Sequence, residues 1–238
     1  MKCAYCHGEF DKLTKEHVPP LSYQKYFSYP NEAWLEKQNL YNGEIKKTKK
    51  SFQNGASYDV VCKSCNNDKS PIDQEFVSAM KKLESKLDIF RASLTPVRDI
   101  DSFLGKIPDS LKLPIRKELI YCFAALSQYY LNTFPADDYE PEILKDNQLL
   151  QESCYLAIKN QDFTKLKSFN IYMMMRWGQL ESSVKTFQNL TLHHVRGNER
   201  FSFEQNCSTI STAYLEFYCV RNDSEFAQRH KELDAHNL

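Results

Sequence analysis

Two pairs of cysteines constrain this chain more than any other feature of its sequence. Each pair has C-x-x-C spacing, Cys3 with Cys6 and Cys62 with Cys65. Two such turns supply the four tetrahedral thiolate ligands that a structural zinc ion prefers. The competing interpretation is a redox pair, but no thioredoxin-like βαβ pattern surrounds either motif. The sequence therefore predicts one zinc site, and the 55 residues between Cys6 and Cys62 must loop out from it.

The composition is typical of a soluble globular protein, with 42% hydrophobic and 26% charged residues. The 31 basic and 31 acidic residues balance, but residues 1–70 contain eleven Lys, no Arg and only eight acidic residues. The overall charge does not indicate a nucleic-acid partner, and any nucleic-acid contact is expected in the N-terminal part. The N-terminus lacks an apolar secretory run, and the longest apolar stretch, near Leu119–Leu126, is too short to cross a bilayer. We expect a cytoplasmic protein with no membrane partner and with reduced thiols.

The texture of the sequence changes twice along the chain. Residues 1–70 are rich in turns and contain one clear strand, Ser57–Val61. A helical pattern runs from Cys65 to just before Thr95, and further helices are predicted over 111–131, 141–159 and 224–236. Alternating segments at 200–204 and 213–218 predict strands. The fold class is thus α+β, with a zinc-bound domain over 1–95 and a mixed helical and antiparallel-strand domain over 96–238, which opens on a linker at 96–110.

Between the cysteine pairs lies Glu16-His17, and Asn66 directly follows the last cysteine. Metal-assisted cleavage of a phosphodiester needs a divalent cation held by oxygen ligands. It also needs a base that activates water, and a neutral His suits that role near pH 7. Glu16 can supply a carboxylate, His17 a base and Asn66 a carbonyl oxygen.

Taken together, these motifs resemble the HNH endonucleases, ββα-metal nucleases on a treble-clef zinc frame. The resemblance covers about residues 1–75 and is closest to the sub-pattern of recombination endonuclease VII. It rests on C-x-x-C, then Glu-His-Val-Pro-Pro, then Cys-Lys-Ser-Cys-Asn-Asn-Asp-Lys-Ser. It implies structural zinc on the four cysteines, catalytic Mg²⁺ or Mn²⁺ on Glu16 and Asn66, and His17 as general base.

The chain departs from the family pattern at three points. Glu16 stands where Asp is more usual, and Asn66, or its neighbour Asn67, replaces the final His. The Asn that supports the loop carrying the His is assigned first to Asn54 and second to Asn39.

Five lysines are candidates for phosphate contacts, which give affinity without sequence specificity. Four come from the short run KKTKK and the fifth follows the last cysteine pair; they are Lys46, Lys47, Lys49, Lys50 and Lys69. The alternative for each is an ordinary solvated side chain, with the run itself in a loop.

The expected function is that of a metal-dependent endonuclease acting on DNA, and the same chemistry permits RNA. The alternative is a non-catalytic zinc module that binds nucleic acid or a protein. Residues 96–238 would position substrate, form a homodimer or dock a regulatory protein. Compact nucleases of this type resemble effectors of phage defence or enzymes of mobile elements.

Overall fold

The protein is an α+β structure of long helices and short antiparallel strands. The computed structural model describes residues 1–26, 32–38, 45–51, 57–92, 108–133, 141–175, 195–198, 203–211 and 215–223. In chain order the elements are β1 (Thr14–His17), α1 (Leu21–Tyr26), β2 (Glu32–Gln38), β3 (Ile45–Ser51), β4 (Ser57–Val61), α2 (Lys63–Ala92), α3 (Asp109–Thr133), α4 (Pro141–Asn160), β5 (Phe169–Met175), β6 (Val195–Asn198), β7 (Phe203–Ser211) and β8 (Leu215–Arg221). The predicted α+β class is confirmed.

The described strands pair only in the antiparallel sense. β1 pairs with β4, placing His17 opposite Ser57 and Lys15 opposite Asp59. β2 pairs with β3 as a separate ribbon, and the remaining strands form a sheet in the order β5-β8-β7-β6. The β1–β4 pair leads directly into α2, so it sets where that helix begins.

Helix α3 is the centre of the packing. All residues from 118 to 128 are buried, which is expected of a helix that is covered on every side rather than along one stripe. Helices α2 and α4 pack against it, as does strand β4. Its sequence Leu119–Leu126 is apolar because no face of this segment meets water.

One hydrophobic core joins the two halves of the chain. Tyr23 packs on Phe76 of α2 with ring centroids 5.3 Å apart, and Tyr5 meets Tyr121 of α3 edge-on at 4.8 Å. The core continues to Phe217 of β8. Residues on both sides of the predicted boundary at residue 95 thus contribute to the same core.

The structure confirms the predicted helices and strands wherever the sequence pattern is strong. The strand Ser57–Val61 and the helices of residues 65–92, 111–131 and 141–159 are all present. The C-terminal strands are longer and shifted, at Phe203–Ser211 and Leu215–Arg221. The linker up to residue 107 and the helix at 224–236 lie outside the described residues. Among the described helices, none has both the length and the apolar character needed to cross a bilayer.

The central position of α3 gives a stability prediction. Phe123 is fully buried, so Phe123→Ala should lower the free energy of unfolding by about 3–5 kcal/mol through lost burial and the cavity it leaves. Chemical denaturation followed by circular dichroism measures the change. Leu113→Ala is the matched control on the same helix, because Leu113 is 52% exposed and its removal should cost less than about 0.5 kcal/mol. Equal losses for the two variants would contradict the assignment of α3 as the core helix.

Candidate metal centre and active site

The four cysteines of the two C-x-x-C pairs converge on one point. Their sulfur atoms all lie within 4.8 Å of one another, and Cys6 Sγ is 4.0 Å from Cys62 Sγ. A tetrahedral zinc ion with Zn–S bonds of about 2.3 Å requires sulfur–sulfur separations of about 3.8 Å. The cluster can therefore hold a zinc ion, and the predicted ligand set is the one that the fold assembles.

The first pair sits on a tight turn that is closed by backbone hydrogen bonds. Cys3 N donates to the Gly8 carbonyl at 2.9 Å, and His7 N donates to the Cys3 carbonyl at 3.1 Å. His7 has a positive φ of 57°, a conformation that His adopts more readily than most residues. A Cβ on Gly8 would lie 3.0 Å from a ring carbon of Phe10, so the turn leaves little room for a side chain there. We call residues 2–9 the cysteine loop.

The second pair is placed by the junction between β4 and α2. Cys62 follows the last residue of β4, and Cys65 lies in the first turn of α2. The Ala4 amide donates to the Val60 carbonyl at 2.9 Å, and the Cys62 amide donates to Cys3 Sγ at 3.3 Å. These bonds attach the cysteine loop to the end of β4, so the first pair is held beside the second.

Hydrogen bonds within the cluster lower the pKa of one thiol, which favours binding of a cation. A hydrogen bond with Cys65 outweighs burial and lowers the pKa of Cys3 to about 4. The same hydrogen bond raises the pKa of Cys65 above its usual range, because the two thiols compete for one proton. The cluster therefore contains a thiolate at neutral pH, which is the form of cysteine that binds zinc.

Glu16, the predicted metal ligand, faces the interior of the protein. It is 3% exposed, and its carboxylate lies 2.9 Å from the ammonium of Lys69. Burial raises the pKa of Glu16, while the charge of Lys69 opposes that rise. Lys69 is 1% exposed. This placement does not allow Lys69 to contact a phosphate, contrary to the sequence prediction, because its ammonium is enclosed by protein.

Lys69 contacts two further carboxylates. Its Nζ atom lies 2.6 Å from Glu118 of α3 and 2.5 Å from Asp73, one turn further along α2. We call Lys69, Glu16, Asp73 and Glu118 the Lys69 cluster. Glu118 is fully buried, and burial raises its pKa to about 8. The carboxylate oxygens lie within 4.8 Å of one another, and the cation among them is the chain's own ammonium.

Sequence reasoning missed Glu118 and Asp73. Glu118 directly precedes the apolar run Leu119–Leu126. An acidic residue is almost never fully buried unless it is paired, so an acidic residue at the edge of a core helix was a readable signal. Its partner lies 49 positions earlier in the chain, and nothing in the local pattern indicates which lysine that is.

Asn66 connects the start of α2 to the strand that carries Glu16 and His17. Its side-chain amide donates to Thr14 Oγ1 at 3.1 Å and to the Lys15 carbonyl at 2.9 Å. Both bonds use the nitrogen, so neither engages the carbonyl oxygen, which is the atom a cation would bind. His17 is half-buried at the end of β1, and a cis peptide bond joins the following pair, Val18 and Pro19.

The remaining predicted site residues lie on β3, beside Asn66 on α2, or outside the described residues. Asn54 and Asn39 both fall outside them. The KKTKK run is not a loop: Lys46, Lys47, Lys49 and Lys50 belong to strand β3, which pairs along its length with β2. Asn67, the alternative to Asn66, is exposed in the first turns of α2.

Comparisons with protein-family models, with curated proteins and with solved structures found no match to this chain. The geometry of the described residues therefore carries the functional argument.

The cysteine cluster predicts how the protein handles zinc. The purified protein should contain one zinc ion per chain by elemental analysis, and Cys65→Ser should lose it because three thiolates bind zinc far more weakly than four. Cys154→Ala is the matched control, since Cys154 is a buried cysteine of α4 outside the cluster. Full zinc content in Cys65→Ser, or loss of zinc in Cys154→Ala, would contradict the assignment.

The Lys69 cluster predicts a large stability effect. Lys69→Met keeps the length of the side chain but leaves buried carboxylates without their cation, which should cost about 3–5 kcal/mol of unfolding free energy. Chemical denaturation measures the loss. Lys82→Met, at an exposed position of the same helix, should change the free energy by less than about 0.5 kcal/mol.

The loss in Lys69→Met should also depend on pH. Lys69 lowers the pKa of Glu16 and of Glu118 against the effect of burial, so removing Lys69 should raise both pKa values further. The deficit relative to the wild type should be smallest below about pH 4.3, the ordinary pKa of Glu, where these carboxyls are protonated in both proteins. It should grow as the pH rises through the range in which they ionise in the wild type, which for Glu118 lies at about 8. Adding Glu118→Gln should recover part of the deficit above about pH 8, whereas a deficit independent of pH would contradict the carboxylate explanation.

Proposed function

We propose that this protein is a metal-dependent endonuclease of the HNH type that hydrolyses phosphodiester bonds of DNA. The proposal is carried by one observation: Asn66, at the start of α2, is hydrogen-bonded to the strand whose end carries His17. A strand pair, a following helix and a four-cysteine cluster surround this contact. That is the order of parts which a ββα-metal site on a treble-clef zinc frame requires.

In this proposal each residue has a separate task. His17 is the general base that takes a proton from the attacking water. The four cysteines would hold structural zinc and so fix the cysteine loop to the end of β4 and the start of α2. Asn66 would bind Mg²⁺ or Mn²⁺ through its carbonyl oxygen, and such an ion stabilises the charge that develops on the phosphate.

Glu16 has two roles in this proposal, and they compete. In the structure its carboxylate pairs with Lys69, which holds β1 against α2. To bind the catalytic metal it would have to turn away from Lys69. The ammonium would then still contact Asp73 and Glu118, so the exchange would not leave a buried charge alone. Glu16 therefore positions His17 in one state and would bind the metal in the other.

The basic strand β3 is the proposed contact for the nucleic-acid backbone. Four lysines of KKTKK lie on it, and Lys37 of β2 stands opposite Lys46. Such a two-stranded basic ribbon suits sequence-independent binding to phosphates, in DNA or in RNA. Within the proposal, residues 96–238 position substrate, form a homodimer or dock a regulatory protein. The whole protein would act in the cytoplasm as an effector of phage defence or as an enzyme of a mobile element.

A second function is favoured by a specific observation. The motif residues Glu16 and Asn66 both make structural contacts, with Lys69 and with β1. A zinc module that binds nucleic acid or a protein without cleaving it needs no more than these contacts. The two functions differ in what happens when His17 is removed.

The decisive experiment is cleavage of supercoiled plasmid by the zinc-loaded protein with Mg²⁺ or Mn²⁺. His17→Ala should lower the rate of nicking by at least about 100-fold, the usual contribution of a general base. Gln74→Ala is the control, because Gln74 is exposed on the same helix as Asn66 and has no role in the proposed reaction. Zinc content should be equal in all three proteins.

Two outcomes would count against the nuclease. Cleavage that survives in His17→Ala would remove the proposed base. Plasmid binding without cleavage, unchanged in His17→Ala, would favour the non-catalytic zinc module. Cleavage that stops on chelation of Mg²⁺ while zinc is retained would support separate roles for a structural zinc ion and a catalytic Mg²⁺ ion.

A further inference from the structure

A cavity of about 430 Å³ lies between the cysteine loop and the helices α3 and α4. Its volume falls in the range of ordinary small-molecule sites, about 300–1,000 Å³. The described residues that line it do not include Glu16, His17 or Asn66, so it is separate from the proposed catalytic site. Its inner lining is formed by one histidine, three glutamines and two leucines: His7, Gln128, Gln148, Gln151, Leu131 and Leu144.

The two buried glutamines are held in fixed orientations. Gln151 Nε2 donates to the Ala4 carbonyl at 2.9 Å, which turns Oε1 towards His7 Nε2 at 2.5 Å. Gln128 Nε2 donates to Asn132 Oδ1 at 2.8 Å. A carboxamide has two N–H donors and two acceptor lone pairs. These bonds use half the capacity of Gln151 and a quarter of that of Gln128, so both amides keep donor and acceptor capacity beside the cavity.

His7 lines the same cavity. One face of its ring is stacked on Tyr155, with centroids 3.6 Å apart and planes inclined by 12°. A planar ring placed on the opposite face would extend the stack, an arrangement that aromatic rings favour when they are offset.

The rest of the lining limits the charge of a ligand. Leu131 and Leu144 supply apolar walls, while Lys2 and Glu152, both exposed, contribute one charge of each sign. Among the described lining residues no buried cation is present to hold a bare anion. The fitting ligand is neutral and planar and carries a donor next to an acceptor.

We propose that this cavity binds a purine nucleobase, recognised by the glutamine amides and stacked against His7. A Gln amide pairs in a bidentate manner with the N6 and N7 atoms of adenine, so adenine is the preferred base. The base can come from a free nucleoside or from an unpaired position in a nucleic-acid strand, and both present the same edge. This binding does not depend on hydrolysis at His17.

Isothermal titration of the full zinc-loaded chain without Mg²⁺ tests the proposal, with adenosine as the first probe. Adenosine should bind at least about 10-fold more tightly than cytidine, the size of one good bidentate base contact. Gln148→Ala and Gln128→Met should each weaken adenosine binding by a similar factor, whereas Gln74→Ala should not. Gln148 and Gln74 are both exposed glutamines on helices, so they are matched in their small effect on folding.

A second titration, with a short single-stranded adenine-rich oligonucleotide, separates the two sources of the base. Tighter binding of the oligonucleotide than of adenosine, lost in Gln148→Ala, assigns the cavity to a strand; equal or weaker binding assigns it to a free nucleoside. Either supports the proposal. It is overturned if neither probe binds, or if binding is the same in Gln148→Ala, Gln128→Met and the wild type. The nuclease assignment is untouched by these results, because no cleavage is measured.

Discussion

The arrangement of this protein depends on the ion pairs between the Lys69 ammonium and three carboxylates. A buried cation costs several kcal/mol unless carboxylates surround it, and here they come from β1, α2 and α3. None of these three elements can move away without leaving a buried charge incompletely paired. The strand that ends at His17 is therefore held against the helix that begins beside Asn66. Any reaction at His17 and Asn66 therefore relies on the paired charges of the Lys69 cluster.

The cysteine cluster adds a second constraint at the start of α2, one turn before Lys69. It fixes the end of β4 and the first turn of α2 to the cysteine loop. Through His7 and Ala4 that loop also contacts Gln151 of α4. The loop is thus supported from two sides, by thiols that can hold zinc and by a glutamine from the distant part of the chain. A zinc ion held by these thiols would stabilise the same few residues as the packing of α4.

The sequence predicted the features that are determined by residues close together in the chain. The four cysteines, strand β4 and the helices α2 to α4 follow from motifs and apolar periodicity that lie within single segments. Contacts between segments were not predictable in this way. A lysine such as Lys69 on a helix of mixed charge looks solvated, and its burial depends on Glu118, 49 positions further along. Likewise, the KKTKK run was expected to be a loop, because a strand with four lysines carries no apolar alternation; its pairing with β2 decides its structure.

The placement of Glu118 has a consequence for how this chain can be divided. The cysteine-containing third looks self-contained in the sequence, yet α3 supplies one of its counter-ions and part of its core. A fragment that stops before α3 would keep every cysteine but expose the apolar side of α2 and leave Lys69 with fewer carboxylates. The smallest unit that could be transplanted or fused intact therefore includes α3, and recombination between related chains would have to exchange these distant segments together.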